Sequence, residues 1–208
     1  MPSSISTPST RAALLFIGLA GVLPGCGPES AELATEHDVM SVLQYAQFMG
    51  GGFDNGAATG NVTAMGAGST GLPGWTIGGG GIDYVYTTYF QAASGSNYSL
   101  DLNNWSPGSI SQSFDTQPGV QYKVGFSLSG NPYCGASSVK SVRVTAADIK
   151  NQDYHYDMAA YGTTAADMKW VRQQFIFTAN SATTTLTFTS LSNGACGPAL
   201  DSVTVSAI

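Results

Sequence analysis

From Gln121 to Leu128 the chain changes character at every residue. Tyr122, Val124, Phe126 and Leu128 fall on one side, with Gln121, Lys123, Gly125 and Ser127 on the other. Successive side chains of an extended backbone point to opposite faces, so this spacing predicts a strand with one face buried. Tyr98, Leu100 and Leu102 repeat the pattern against Ser99, Asp101 and Asn103, and Val171, Gln173, Phe175 and Phe177 follow it less cleanly. Further strands are predicted over Ile110 to Phe114, Val139 to Ala146, Thr183 to Ser190 and Leu200 to Ser206. Turn chemistry separates them at Ser106-Pro107-Gly108, Gln117-Pro118-Gly119, Gly130-Asn131-Pro132 and Ser192-Asn193-Gly194. Several half-buried strands bury their apolar faces most simply as two antiparallel sheets packed on each other, so the predicted fold is all-β, a β-sandwich. No internal repeat marks a propeller.

Composition agrees. Charged residues make up 10% of the 208-residue chain and hydrophobic ones 43%. The long charged side chains that cover helical proteins are therefore scarce. The stretch from Gly50 to Gly81 is rich in Gly, Ala, Ser, Thr and Asn and reads as loop, anchored by Phe53, Trp75 and Ile77. Trp75 and Trp170 read as core residues.

The N-terminus carries an address. Ala12 to Leu23 is an apolar run behind Arg11, followed by Pro24, Gly25 and Cys26. It is too short to cross a bilayer and has the form of a secretory signal. Leu23-Pro24-Gly25-Cys26 resembles the bacterial lipoprotein signal, in which the Cys is acylated and becomes the new N-terminus. The expected division is residues 1–25 as signal, 26–46 as a polar tether with a short helix possible over Val39 to Phe48, and 47–208 as the β-sandwich. The protein is expected to be exported and lipid-anchored at a bacterial outer membrane or cell surface, with plain secretion as the alternative. Loss of Arg11 with the signal takes the net charge from −6 to −7 and leaves six scattered basic residues. No basic patch remains to collect phosphates, so nucleic acid is not an expected partner and membrane attachment is expected through lipid alone. The domain is expected to act as a monomer.

Several motifs are familiar in their order. Gly74-Trp75-Thr76, Ile82-Asp83-Tyr84-Val85, Ser99-Leu100-Asp101-Leu102-Asn103 and Pro107-Gly108-Ser109-Ile110-Ser111-Gln112 come first. Gly130-Asn131-Pro132, Val139-Lys140-Ser141-Val142, Leu186 to Leu191 and Cys196-Gly197-Pro198-Ala199-Leu200-Asp201-Ser202-Val203 follow. From Gly51 onward this resembles bacterial proteins with the choice-of-anchor C domain and a related family of plant cell-wall proteins. The resemblance implies a galactose-binding-domain-like jelly roll at the cell surface, with polysaccharide or another glycan as partner. It also implies a structural Ca²⁺. In related carbohydrate-binding sandwiches an acid after an early Gly-Phe pair and another on the last strand share such an ion, places taken here by Asp54 and Asp201. Oxygen ligands of this kind suit Ca²⁺.

Chemistry on substrates is not expected. The two histidines, His37 and His155, lie far apart in sequence, and no P-loop, His-Glu-x-x-His or Gly-x-Ser-x-Gly motif occurs. Paired carboxylates among Asp101, Asp115, Asp153, Asp157 and Asp167 are the one enzymatic alternative, and binding of another protein is the alternative to glycan. With Cys26 lipidated, Cys134 and Cys196 are left to form a disulfide outside the reducing cytoplasm. The ligand surface is expected on loop aromatics: Trp105, Tyr133, Tyr154 and Tyr156, with Asp153, His155 and Asp157 as polar partners. Asn151 to Asp157 shows no clear alternation and reads as a loop that can stack and hydrogen-bond.

Overall fold

The alternating segments become strands because each can bury one row of side chains while its backbone pairs with a neighbour. The computed structural model describes residues 47–208 apart from 94, 135–137, 148 and 149. Among the described residues the strands are β1 (Val62–Met65), β2 (Thr76–Gly79), β3 (Ile82–Tyr86), β4 (Tyr98–Asp101), β5 (Gly108–Asp115), β6 (Gln121–Gly130), β7 (Val139–Ala146), β8 (Lys150–Asp157), β9 (Val171–Thr178), β10 (Thr183–Ser190) and β11 (Pro198–Ala207). One helical turn, α1 (Met158–Tyr161), follows β8. Among the described residues all the strands pair antiparallel, in a six-stranded sheet ordered β1-β3-β4-β11-β6-β9 and a five-stranded sheet ordered β2-β5-β10-β7-β8. The result is a jelly-roll β-sandwich. Cys26 and the signal and tether segments lie outside the described residues, as do residues 39–46 of the expected helix.

Leu100, Tyr122, Val124, Phe126 and Leu128 of one sheet meet Ile110, Val142, Val144, Leu186 and Phe188 of the other in a shared core. Trp75 lies in that core, edge-on to Phe48 at 5.5 Å, with its indole N–H donating to Gly50 O at 3.2 Å. Trp170 does not. It packs on the outer face of the six-stranded sheet against the cluster of Val85, Phe90, Met168 and Ala199, and its Nε1 donates to Gln91 O at 2.9 Å.

Two further expectations are corrected. The Gly-rich stretch holds β1 and β2, short strands ordered by pairing with β3 and β5 and not by a long alternation of their own. Asn151 to Asp157 is no loop but most of edge strand β8, in register with β7 from Val139↔Asp157 to Ala146↔Lys150. Tyr154 and Tyr156 turn inward and Asp153 and His155 outward. Only two of its residues are buried, which is why the period was faint. Side chains of β8 also cap the open edge of β9: Tyr154 Oη donates to Gln174 O and Lys150 Nζ to Ile176 O. Such capping removes acceptors on which a foreign strand could pair.

Candidate functional site

The expected site residues separate into three environments. Tyr156 is 1% exposed, and its Oη lies 3.0 Å from the carbonyls of Met168 and Lys169 and 2.7 Å from Thr163 Oγ1. Tyr154 is also buried, edge-on to Phe126 at 5.0 Å. Both rings belong to the core, where a polar tip with a partner is tolerated, and neither offers a face to a ligand. Asp153, His155 and Asp157 are held by neighbours. Arg143 grips Asp153 through two bonds of 2.7 and 2.8 Å, and this contact holds the Asp153 carboxyl below its ordinary range. His155 Nδ1 is 2.7 Å from Ser141 Oγ, and Asp157 caps α1 by accepting from Ala159 N and Ala160 N.

Trp105 and Tyr133 remain. Trp105 is 84% exposed at the tip of the β4–β5 loop, which the bridge between Asn103 and Pro107 closes tightly. Tyr133 is 52% exposed in the β6–β7 loop. Its ring is 4.5 Å from that of Tyr89, and its Oη donates to Tyr89 O at 2.7 Å. Large rings left in water on a fold that buries most of its aromatics are the natural candidates for stacking on a ligand. Where β5 and β10 pair, the outer face of the five-stranded sheet carries hydroxyls in place of such rings: Ser109, Ser111 and Ser113 lie opposite Thr189, Thr187 and Thr185 there. That stretch can hydrogen-bond but not stack.

The loops behind Trp105 and Tyr133 are tied together by buried polar groups. Asp101, the last residue of β4, is 0% exposed. Its Oδ1 accepts from Asn103 N and Gly197 N, both at 2.9 Å, and its Oδ2 from Asn131 Nδ2 at 2.6 Å. Asn103 Nδ2 donates to Ser192 O and Gly194 O, and Lys140 Nζ to Cys196 O at 2.8 Å. The expected disulfide Cys134–Cys196 is present, with Cα atoms 5.7 Å apart, and joins the β6–β7 and β10–β11 loops. A Cβ on Gly197 would collide with Asn103 Oδ1 and Asp101 Oδ1, so only glycine fits that approach. Burial pushes the Asp101 carboxyl up to about 7, against the lowering effect of its three hydrogen bonds. Burial also raises Asp83, its cross-strand neighbour, to about 6.

Asp54 and Asp201 belong to a different part of the surface of the six-stranded sheet. Asp54 Oδ1 accepts from Asn97 N at 2.7 Å and lies 3.2 Å from Ser96 Oγ. Ser96 Oγ also lies 2.9 Å from Gly52 O and 2.6 Å from Tyr98 O. One hydroxyl proton can serve only one of these three acceptors, so oxygen lone pairs outnumber donors. Asp201 Oδ2 accepts from Ala93 N at 2.8 Å, and its pKa is pushed up to about 7 by burial, with Asp54 adding repulsion. A β-bulge between Asp201 and Thr204 and a left-handed Phe53 (φ 59°) shape the two backbone segments here. An excess of hard oxygen acceptors beside two carboxylates fits a Ca²⁺-like cation. Among the described residues no group of three or more His, Cys, Asp or Glu side chains could hold a metal, so carbonyl oxygens would have to complete the shell.

Residues 46–206 match the family described as "Protein of unknown function (DUF642)". The chain belongs to the DUF642 family. Halomucin of Haloquadratum walsbyi (strain DSM 16790 / HBSQ001) is 28% identical over 162 residues, and the chain spans 2% of Halomucin's length and 74% of its own in that match. Among solved structures, TmCBM61 in complex with beta-1,4-galactotriose is similar at a TM-score of 0.47 and 14% identity, covering 78% of this chain and 99% of that one. A family 35 carbohydrate binding module from Clostridium thermocellum is similar at 0.43 and 16%, covering 72% and 100%.

The residues of this DUF642 domain that sequence reasoning overlooked are Asp101, Asn103, Asn131 and Lys140 as a connected set. A signal was there: Asn103-Asn104-Trp105 and Asn131-Pro132-Tyr133 both place an Asn two residues before an aromatic. Ser96 and Gly52 were also missed, because carbonyl oxygens leave no trace in side-chain identity.

Proposed function

We propose that this domain is a non-catalytic carbohydrate-binding module of an exported protein, held to the cell surface by a lipid on Cys26 and acting as a monomer. The observation that carries the glycan reading is the exposure of Trp105 on a loop end whose backbone is fixed from beneath by Asp101, Asn103 and the disulfide. A rigid ring in water loses little entropy when a sugar's C–H face covers it, and flanking amides and hydroxyls can take the sugar hydroxyls. Tyr133 is the second anchor. Bacterial anchor-type relatives are the suggested setting, with a cell-wall or extracellular polysaccharide as partner.

The same reading gives Asp54 and Asp201 a structural Ca²⁺, with Gly52 O and Tyr98 O as further ligands. The ion would supply positive charge to a site where burial and repulsion have raised the Asp201 pKa, and would pin the β3–β4 connection to the N-terminal loop and β11.

The test is native-gel retention on immobilised xylan, β-glucan, galactan and peptidoglycan. Trp105→Ala should abolish most of the retention and leave the thermal midpoint unchanged, because a side chain this exposed contributes little to the fold. Equal retention of wild type and variant would overturn the assignment. For the anchor, labelled palmitate should be incorporated into the wild-type chain and not into Cys26→Ser, and incorporation into neither would overturn the lipid assignment.

A further inference from the structure

We propose that Asp101 is the positioning residue for the ligand-binding loops: its buried carboxylate sets Trp105 and Tyr133, and protonation of that carboxylate frees the Tyr133 amide and loosens the backbone there. The proposal rests on the reading of the loop end as a glycan site.

Three loops converge on this one side chain. Through Asn103 N it fixes the β4–β5 loop two residues before Trp105, through Gly197 N the β10–β11 loop, and through Asn131 Nδ2 the β6–β7 loop. Asn131 transmits the constraint, because its Oδ1 accepts from Tyr133 N at 3.0 Å and its own N–H donates to Gly197 O at 3.0 Å. The carboxamide orientation is therefore dictated at both ends: Nδ2 must face Asp101 and Oδ1 must face Tyr133 N. Neither Asp101 nor Asn131 is exposed enough for water to substitute for a missing partner.

A proton on Asp101 breaks that logic. Oδ1 already accepts two backbone N–H groups, so the proton is accommodated at Oδ2, where it meets the Nδ2 donor of Asn131. Two donors cannot face each other at 2.6 Å. Turning the Asn131 carboxamide over restores that bond but presents Nδ2 to Tyr133 N, and the Tyr133 amide loses its acceptor. Burial has already raised Asp101 to about 7, so the change falls within the range met outside cells. Among the described residues the ionisable groups that act on it are Asp83 on β3, Lys140 on β7 and Tyr89 on the β3–β4 connection. Asp83 repels the Asp101 charge, Lys140 attracts it, and Tyr89 is pushed upward by burial first and by Tyr133, Asp83 and Asp101 thereafter.

The experiment compares wild type, Asp101→Asn, Asp83→Asn and the exchange Asp101→Asn/Asn131→Asp. Native-gel retention on the four polysaccharides above is read at pH 8 and pH 5.5, with amide hydrogen exchange at Tyr133 as a ligand-independent measure. Asp101→Asn sets two amide donors against each other and should bind about tenfold more weakly at pH 8 with faster Tyr133 exchange, the size expected for one orphaned buried donor. The exchanged pair restores every bond with donor and acceptor reversed and should recover both properties. Wild type should lose affinity on acidification, Asp83→Asn should lose it too, and Asp101→Asn should not.

Wild-type exchange at Tyr133 in Asp101→Asn, or an exchanged pair no better than the single variant, would overturn the proposal. If Asp101→Asn does not fold, the wild-type pH series decides, and equal retention at pH 8 and 5.5 overturns it. If wild type is retained by no polysaccharide, the glycan reading fails alone, and the Tyr133 exchange rates still decide whether Asp101 positions the loop.

Discussion

The two sheets treat their outer faces in opposite ways. The five-stranded sheet shows water a lattice of Ser and Thr from β5 and β10, while the six-stranded sheet hides Ser99, Asp101 and Asp201 at 0% exposure. Phe90 and Met168, from the β3–β4 and β8–β9 connections, cover part of that second face. Hydroxyls in water are cheap and interchangeable. A buried carboxylate is costly to desolvate, and it persists where several donors need one acceptor. The covered face is therefore where a substitution should be felt, and the open face is where it should not.

The largest effect is expected in the interior between the two faces. Tyr156→Ala removes a buried ring and orphans the groups around its hydroxyl, and it should cost about 4 kcal/mol or more in a denaturant melt. A cost below about 1 kcal/mol would mean that the ring can leave the core and serve a ligand after all.

Removing the disulfide should cost nearly as much. Cys134 and Cys196 are 62 residues apart, and opening a loop of that length in the unfolded chain corresponds to about 4 kcal/mol on the chain-entropy model. A Cys134→Ser/Cys196→Ser double variant compared with wild type, both without reductant, measures it.

The covered acids predict an unusual pH dependence. Folded-state values of about 6 for Asp83 and about 7 for Asp101 and Asp201 lie above the ordinary 3.8, so the folded chain holds protons that the unfolded chain releases. Stability should then fall as pH rises from about 4 to about 7, the reverse of the usual acid denaturation of carboxylate-rich proteins. Thermal melts in EDTA from pH 5 to pH 8 check the direction. Added Ca²⁺ should raise the midpoint most at pH 8, where Asp201 is ionised. A midpoint that climbs with pH in EDTA would show that these acids are solvated.

The smallest effect belongs to the open face. Thr187→Ala, midway along the Ser and Thr lattice, should change stability by no more than about 0.5 kcal/mol. A larger loss there would dissolve the contrast between the two faces.

Much of this architecture was legible in advance because it is local. Alternation in β4 and β6 fixed which side chains face inward, since a strand has only two faces. Cys134 and Cys196 were paired by compartment and number. β8 hid its period because, as an edge strand, it buries only Tyr154 and Tyr156. An aromatic between polar residues reads alike in a loop and on such an edge. Trp105 announced itself by standing in a turn. Trp170 was read correctly as packed but given the wrong surface, because hydrophobicity states that a ring is covered and not by what.

By itself the sequence determined the fold class, the disulfide partners and the exposed tryptophan, because each follows from the period, the count or the turn chemistry of neighbouring residues. Only the tertiary structure decided that Asp101, Asn103, Asn131 and Gly197 form one unit, and that Gly52 O and Tyr98 O stand beside Asp54. Hydrogen bonds between residues 30 or 96 positions apart depend on strand order and on the orientation of single carbonyls and amides, and these are fixed only when both sheets have closed.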